Sequence, residues 1–204
     1  MNFPLPNSTP IFLAARTQLS EPDAKKLWYV KSGAIRFDNM ESLSLPSKPS
    51  FLRLALKGDL IGIEQLAGVT QPIRLTAITP VSLYPINLSD ELYLNQWLLQ
   101  AIAGIHQRHQ EAMALRCGIV EERVRRLLQL LADAEQDQAG TDLACTLPSL
   151  GNMADILLST RESICRALTH LRATHMLEDQ NPAHMKRRRL ENRSHLIRNI
   201  QALQ

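Results

Sequence analysis

The chain has 204 residues, of which 45% are apolar and 21% charged, with a formal net charge of +3. That length allows one large domain or two small ones, and the composition is that of a globular chain, not a collagenous or disordered one. Three cysteines (Cys117, Cys145, Cys165) are odd in number, far apart and without a CxxC pair, which argues against a disulfide framework and a cysteine-rich metal site.

The first residues, Met1-Asn2-Phe3-Pro4-Leu5-Pro6, have neither the basic start nor the apolar run of a signal peptide. No stretch approaches the ~18 apolar residues of a membrane helix. A cytoplasmic protein with reduced thiols and no membrane contact is expected. The charge is uneven: residues 182–204 hold six basic side chains against one acidic, a footprint that fits a polyanion.

Residues 1–90 read as β. Leu27-Trp28-Tyr29-Val30, Ala34-Ile35-Arg36-Phe37, Phe51-Leu52-Arg53-Leu54-Ala55-Leu56 and Val81-Ser82-Leu83-Tyr84 are short apolar or alternating runs. Lys31-Ser32-Gly33 and Lys57-Gly58-Asp59 read as turns, and 38–50 as a hairpin tip with Pro46 and Pro49 ending strands. Many short strands predict a small barrel or jelly roll.

From about Asn87 the period changes. Asn87 or Ser89 can cap a helix with Asp90 and Glu91 in its first turn. Leu94, Leu98, Ile102, Ile105, Ala112 and Met113 recur at helical spacing, in one long helix or two joined near Gly118. The stripe is too long for one small barrel to cover, so a partner helix and a two-fold dimer are expected. The dimer helix is assigned Leu98, Ile102, Ile105, His109, Ala112 and Met113. An amphipathic helix follows from about Glu121 to Ala134, and Gly140 closes that section.

Two tightly joined helices are predicted in 146–178. Ser149 caps the first, with Met153, Ile156 and Leu157 inside. Leu158-Ser159-Thr160 is the joint, and Ser159 or Thr160 caps the second. The second runs from Arg161 to about Thr174 with Ile164, Leu168 and Leu171 as its buried stripe, and with Arg161, Glu162, Cys165, Arg166 and Thr169 opposite. A buried stripe with long polar donors at the outer N-terminal end is the plan of a helix-turn-helix that enters the major groove. Lys186-Arg187-Arg188-Arg189 fits a wing strand on phosphates. The fold class expected is therefore α+β: an N-terminal small β-barrel or jelly roll (1–90), a long dimerisation helix (91–118) and a C-terminal winged helix-turn-helix (119–204).

These segments resemble the family of the cyclic-AMP receptor protein and the fumarate–nitrate regulator. Trp28 to Arg36 is similar to its aromatic-x-V-x-x-G-x-[VI]-R strand and turn, and Lys57 to Gly62 to its x-G-D-x-[IF]-G turn. Glu122 to Leu128 fits the helix after the dimer helix. Ser159-Thr160-Arg161-Glu162-Ser163-Ile164-Cys165-Arg166 is similar to its recognition helix, S-R-E-[TS]-V-x-R. The resemblance implies a homodimeric transcription regulator that contacts double-stranded DNA, and RNA polymerase as a further partner. Arg161, Glu162 and Arg166 would read the bases of a palindromic GTGA-like site. Arginine can donate twice to guanine, and glutamate accepts from the cytosine amino group. Ser149, Ser159, Thr160, Ser163, Thr169, Lys186, Arg187 and Arg188 would meet the DNA backbone. One departure concerns the joint, where the family often has glycine and this chain has Leu158. If that position needs a positive φ, the leucine costs about 1 kcal/mol.

The sensor half departs further. Cyclic-AMP binders of the family carry G-E-[LI] and then R-[ST]-A. Here Gly62 is followed by Ile63 with Glu64 one place late, Gln71-Pro72 stands at the arginine–serine position, and Arg74 is displaced along the strand. A shift of one along a strand reverses the face, so control by cyclic AMP in the usual way is not expected. Residues 1–116 hold no cysteine and residues 1–105 no histidine, so no iron–sulfur cluster, haem or metal is expected in the barrel, and no resident cofactor. His106 and His109, three apart on the long helix, are read as a polar layer or as a metal pair across a dimer axis. A small anionic effector, such as a 2-oxo acid, or no ligand at all is left for the barrel, with no effector-binding residues assigned. Ala77 to Val81 is similar to a strand of the family's 2-oxoglutarate-responsive members.

Two other functions compete. One is a small-molecule-binding or enzymatic barrel. No nucleophile–base pair or phosphate loop supports an enzyme. The other is a protein-interaction module without productive DNA binding.

Overall fold

A computed structural model describes residues 9–20, 23, 26–40, 49–66, 68, 72–86, 91–135, 145–174 and 196–197. It divides into two units, Met1–Ala112 and Met113–Gln204.

In the first unit alternating side chains make two antiparallel sheets. One has the order β1 (Ile11–Leu13), β7 (Val81–Pro85), β2 (Trp28–Ser32), β5 (Leu60–Ile61); the other has β4 (Ser50–Ala55), β3 (Ile35–Asn39), β6 (Ile73–Ala77). Trp28 and Val30 from the first sheet share one core with Ile35, Phe37, Leu75 and Ala77 from the second. The result is a two-sheet jelly-roll arrangement. β3 and β4 pair from Ile35↔Ala55 to Asn39↔Ser50, as the hairpin reading of 38–50 requires; its tip, 41–48, lies outside the described residues, as do Asn87, Ser89 and Gly140.

Two glycines fix the turns of that unit. Gly33 has φ +87°, and a Cβ there would stand 2.0 Å from the Pro80 carbonyl oxygen. Gly62 has φ +95°, with the Lys26 carbonyl oxygen 2.1 Å from the same position. Any side chain at either site meets both a strained backbone and a collision. The Thr79 hydroxyl, fully buried, accepts from the Ala34 amide at 2.9 Å and holds the first of these turns to the connection between β6 and β7.

A short helix α1 (Ile63–Leu66) follows β5, and the long helix α2 covers Glu91–Ala114. Trp97 and Ala101 of α2 pack with Leu27 and Leu60, and the Trp97 ring meets Tyr29 edge-on at 6.1 Å. The long apolar segment is thus two helices: α2 ends at Ala114, Gly118 takes φ +86°, and α3 runs Val120–Glu135.

In the second unit α3 buries Val124, Leu127, Leu128, Leu131 and Ala134 on one face. Helices α4 (Leu150–Ile156) and α5 (Arg161–Ala173) follow. β8 (Cys145–Thr146) pairs antiparallel with β9 (Leu196–Ile197). Lys186, Arg187, Arg188 and Arg189, the expected wing, lie outside the described residues.

Candidate nucleic-acid interface

The α4–α5 joint is built by caps. Ser149 has extended backbone and its hydroxyl accepts from the Asn152 amide at 3.2 Å. Thr160 does the same for α5, accepting from the Ser163 amide at 3.2 Å. Of the two candidates for the second cap, Thr160 fills the position, satisfying an amide that helix geometry leaves open. Leu158 takes φ +47°, so the joint does need the left-handed conformation. Arg123 of α3 donates from Nη1 to the Leu157 carbonyl at 2.7 Å and fastens the end of α4.

Burial then sorts the residues of α5. Ile164, Ala167, Leu168 and Leu171 are buried, while Arg161, Glu162, Cys165, Arg166 and Thr169 are exposed. Thr160 is exposed too; Ser149, Ser159 and Ser163 are half-buried. The three expected base readers therefore share the exposed face at the N-terminal end of one helix. Arg166 Nη2 lies 3.3 Å from the Ser163 hydroxyl. The Arg161 guanidinium rests over Gly151 of α4, so near that a Cβ there would stand 3.2 Å from Nη2. The Glu162 carboxyl is held below the usual glutamate range, first by its own backbone amide, then by the Thr160 hydroxyl and by Arg161 and Arg166. Amides at a helix start favour negative charge, so Glu162 presents an ionised acceptor flanked by two donors.

The expected dimer-helix residues divide between two faces of α2. Ile102, His109 and Met113 are exposed, Leu98 and Ile105 half-buried, and Ala112 is buried within its own chain. Leu99, which the periodicity passed over, is 69% exposed, Ile102 65% and Met113 70%. Leu99, Ile102, His106, His109 and Met113 follow one another at spacings of three and four, the a/d rhythm of a coiled-coil seam. The helix carries three charged residues, Glu91, Arg108 and Glu111. Arg108 turns inward to Asp59 and pairs with Glu111, so between Leu99 and Met113 no charged side chain stands on that exposed stripe.

Inside the jelly roll, Glu64 pairs with Arg53, whose guanidinium stacks 3.7 Å from the centre of the Phe37 ring. Arg53 is buried. Arg74 takes the opposite face: it registers with Asp38 and donates to its carboxylate at 3.3 Å, as Arg36 does at 2.7 Å. Gln71 lies outside the described residues. Arg53 was not singled out by sequence, because a charged residue inside an apolar strand reads as outward-facing. Its signal was phase: it is two residues from Phe51 and from Ala55, both buried on the same strand.

Among the described residues, no helix is long and apolar enough to cross a membrane. No protein-family model matches the chain, and no curated protein matches it. Solved structures do. A CRP-family transcriptional regulator from Thermus thermophilus is 22% identical, covering 94% of this chain and 93% of its own, with a TM-score of 0.62. FixK2 from Bradyrhizobium japonicum is 20% identical over 96% of this chain and 94% of its own, with a TM-score of 0.63. The c-di-GMP-responsive global regulator CLP of Xanthomonas campestris is 19% identical over 94% of each chain, with a TM-score of 0.54. Across nearly its whole length, the chain has the fold of the CRP-type regulators.

Proposed function

We propose that this protein is a homodimeric, sequence-specific DNA-binding transcription regulator of the CRP/FNR type, and not an enzyme. Its α4–α5 pair is a helix-turn-helix, and the C-terminal segment supplies the wing. The observation that carries the reading is the exposed set Arg161, Glu162 and Arg166 on a helix whose opposite face is buried. Two donors and an ionised acceptor match guanine and cytosine edges in the major groove. Ser149, Ser159, Thr160, Ser163 and Thr169, with Lys186, Arg187 and Arg188, would hold the phosphates. The likeness to solved regulators supports the reading.

The dimer would close along α2. Its uncharged exposed seam has the heptad spacing that a second copy of the same helix matches, and Leu98, Ile105 and Ala112 stand beside that seam at sevenfold spacing. The effector reading follows from Arg53. A Glu64 engaged by Arg53, and an Arg74 turned to Asp38 on the other face, leave neither for a cyclic phosphate or a ribose, so cyclic AMP is not the signal in the usual way. RNA polymerase contact and a cytoplasmic location belong to the same proposal.

Gel shifts on a palindrome of GTGA-like half-sites test it. Each phosphate neutralised contributes about −0.9 to the slope of log affinity against log salt, so a steep slope and a dimer-sized complex are expected. Equal affinity for the palindrome and a scrambled duplex would overturn sequence-specific reading.

A further inference from the structure

The exposed seam of α2 presents three metal-ligand side chains in succession. His106, His109 and Met113 are all exposed, and no carboxylate or ammonium shares their stripe. Imidazole suits zinc, copper and nickel, and a thioether adds to the preference for softer ions. A single helix supplies two imidazoles, too few for a closed tetrahedral shell. Among the described residues of one chain, no three His, Cys, Asp or Glu side chains converge on a common point. A second copy laid along the seam brings the same pair to the same level, and the count becomes four.

Burial supplies a reason for such a site. Two adjacent histidine layers in an otherwise apolar seam would enclose polar ring nitrogens, which is costly unless they are satisfied. In the single chain, His106 Nε2 lies 2.8 Å from the Gln110 side-chain nitrogen, a contact that satisfies one nitrogen at most. A bound cation would satisfy one nitrogen on each of four rings. We infer that two copies of α2 together form a site for a late first-row transition ion, held by His106 and His109 of both helices with Met113 beside it. This rests on the proposed dimer.

The test uses the full chain, first in EDTA and then titrated with zinc chloride, followed by sedimentation velocity and calorimetry. The expected result is one zinc per two chains and a tighter dimer. His106→Gln/His109→Gln should weaken zinc binding by more than about a hundredfold while leaving the thermal unfolding of the zinc-free protein unchanged. A dimer in EDTA that binds zinc no better than the double variant overturns the metal site and leaves the dimer standing. A chain that is monomeric with and without zinc overturns both. A monomer that dimerises only on zinc addition, with the double variant unresponsive, supports the site.

Discussion

Arg108 donates from Nε to Oδ2 of Asp59 at 2.8 Å, and the same oxygen accepts the Leu56 amide at 2.8 Å. One carboxylate thus closes the Lys57-Gly58-Asp59 turn and fastens α2 to it. Gln100 adds a second fastening by donating to the Gly58 carbonyl at 2.8 Å.

Burial pushes the Asp59 carboxyl above its usual value, although Arg108, the Leu56 amide and Arg53 all pull it down. Removing Arg108 should therefore cost more than neutralising Asp59. Arg108→Met leaves a buried carboxylate without its cation, at a cost of about 3–5 kcal/mol. Asp59→Asn keeps an acceptor for both donors and should cost about 1 kcal/mol. The sign of the pH effect follows. A carboxyl that holds its proton more tightly folded than unfolded favours folding at acid pH, and that contribution fades as pH rises from the ordinary aspartate value through the raised one. The Arg108→Met protein should consequently recover part of its stability on acidification. Urea melts across pH check both points, and equal losses for the two variants would contradict the ordering.

Leu158 has φ +47° and is 70% exposed. A left-handed conformation costs a side-chain-bearing residue about 1–2 kcal/mol, while glycine gives up about 0.5–1 kcal/mol in chain entropy. Leu158→Gly should stabilise the protein by about 0.5–1 kcal/mol, and Leu158→Val should destabilise it, because a β-branched residue tolerates this region least. Thermal unfolding reads both. A stability loss in the glycine variant would mean that the leucine side chain contributes a contact outweighing the strain.

The sequence made four of the five longer antiparallel strands legible, because Trp28, Val30, Phe51 and Leu83 alternate between glycine-marked turns. The two-residue β5 is too short for any period to show. In α2 periodicity failed for a different reason. One apolar face, with Trp97 and Ala101, packs on its own unit, and another, with Leu99 and Ile102, is exposed; hydropathy does not separate them, so Ala112 and Met113 were grouped together. Arg53 escaped notice because its partners Phe37 and Glu64 come from other elements. The face of α5 was readable in full, since a helix with charge on one side and Ile164, Leu168 and Leu171 on the other declares its orientation within thirteen residues.

The Glu162 carboxyl should keep its charge where ordinary glutamates lose theirs. Its folded value lies below the usual one, so what its ionised form contributes is present above the unfolded value and lost only as pH falls through the folded value. The cytosine preference proposed for Glu162 should persist through the ordinary carboxylate range. Anisotropy titrations with two duplexes differing at that base, taken from neutral to acid pH, measure the ratio directly. Glu162→Gln, whose amide both donates and accepts, should flatten that ratio at every pH. A wild-type preference that disappears at the usual glutamate value would show that another group reads the base.

Arg161 and Arg166 should fail differently when removed. Each bidentate contact to guanine is worth about 1–3 kcal/mol of discrimination, so Arg161→Ala and Arg166→Ala should each relax one position of the half-site while leaving the others sharp. Arg161 rests over Gly151, and on the proposed reading it leaves that rest to reach a base. Gly151→Ala replaces a helical glycine, which should stabilise α4 by about 1 kcal/mol, and a Cβ 3.2 Å from Nη2 displaces the resting guanidinium. The alanine variant should therefore gain thermal stability and bind the palindrome at least as tightly as wild type, with discrimination at the Arg161 position intact. If Gly151→Ala instead loses discrimination at that position alone, the rest over Gly151 is the reading pose of Arg161. If Arg161→Ala and wild type rank every half-site variant alike, Arg161 does not read a base.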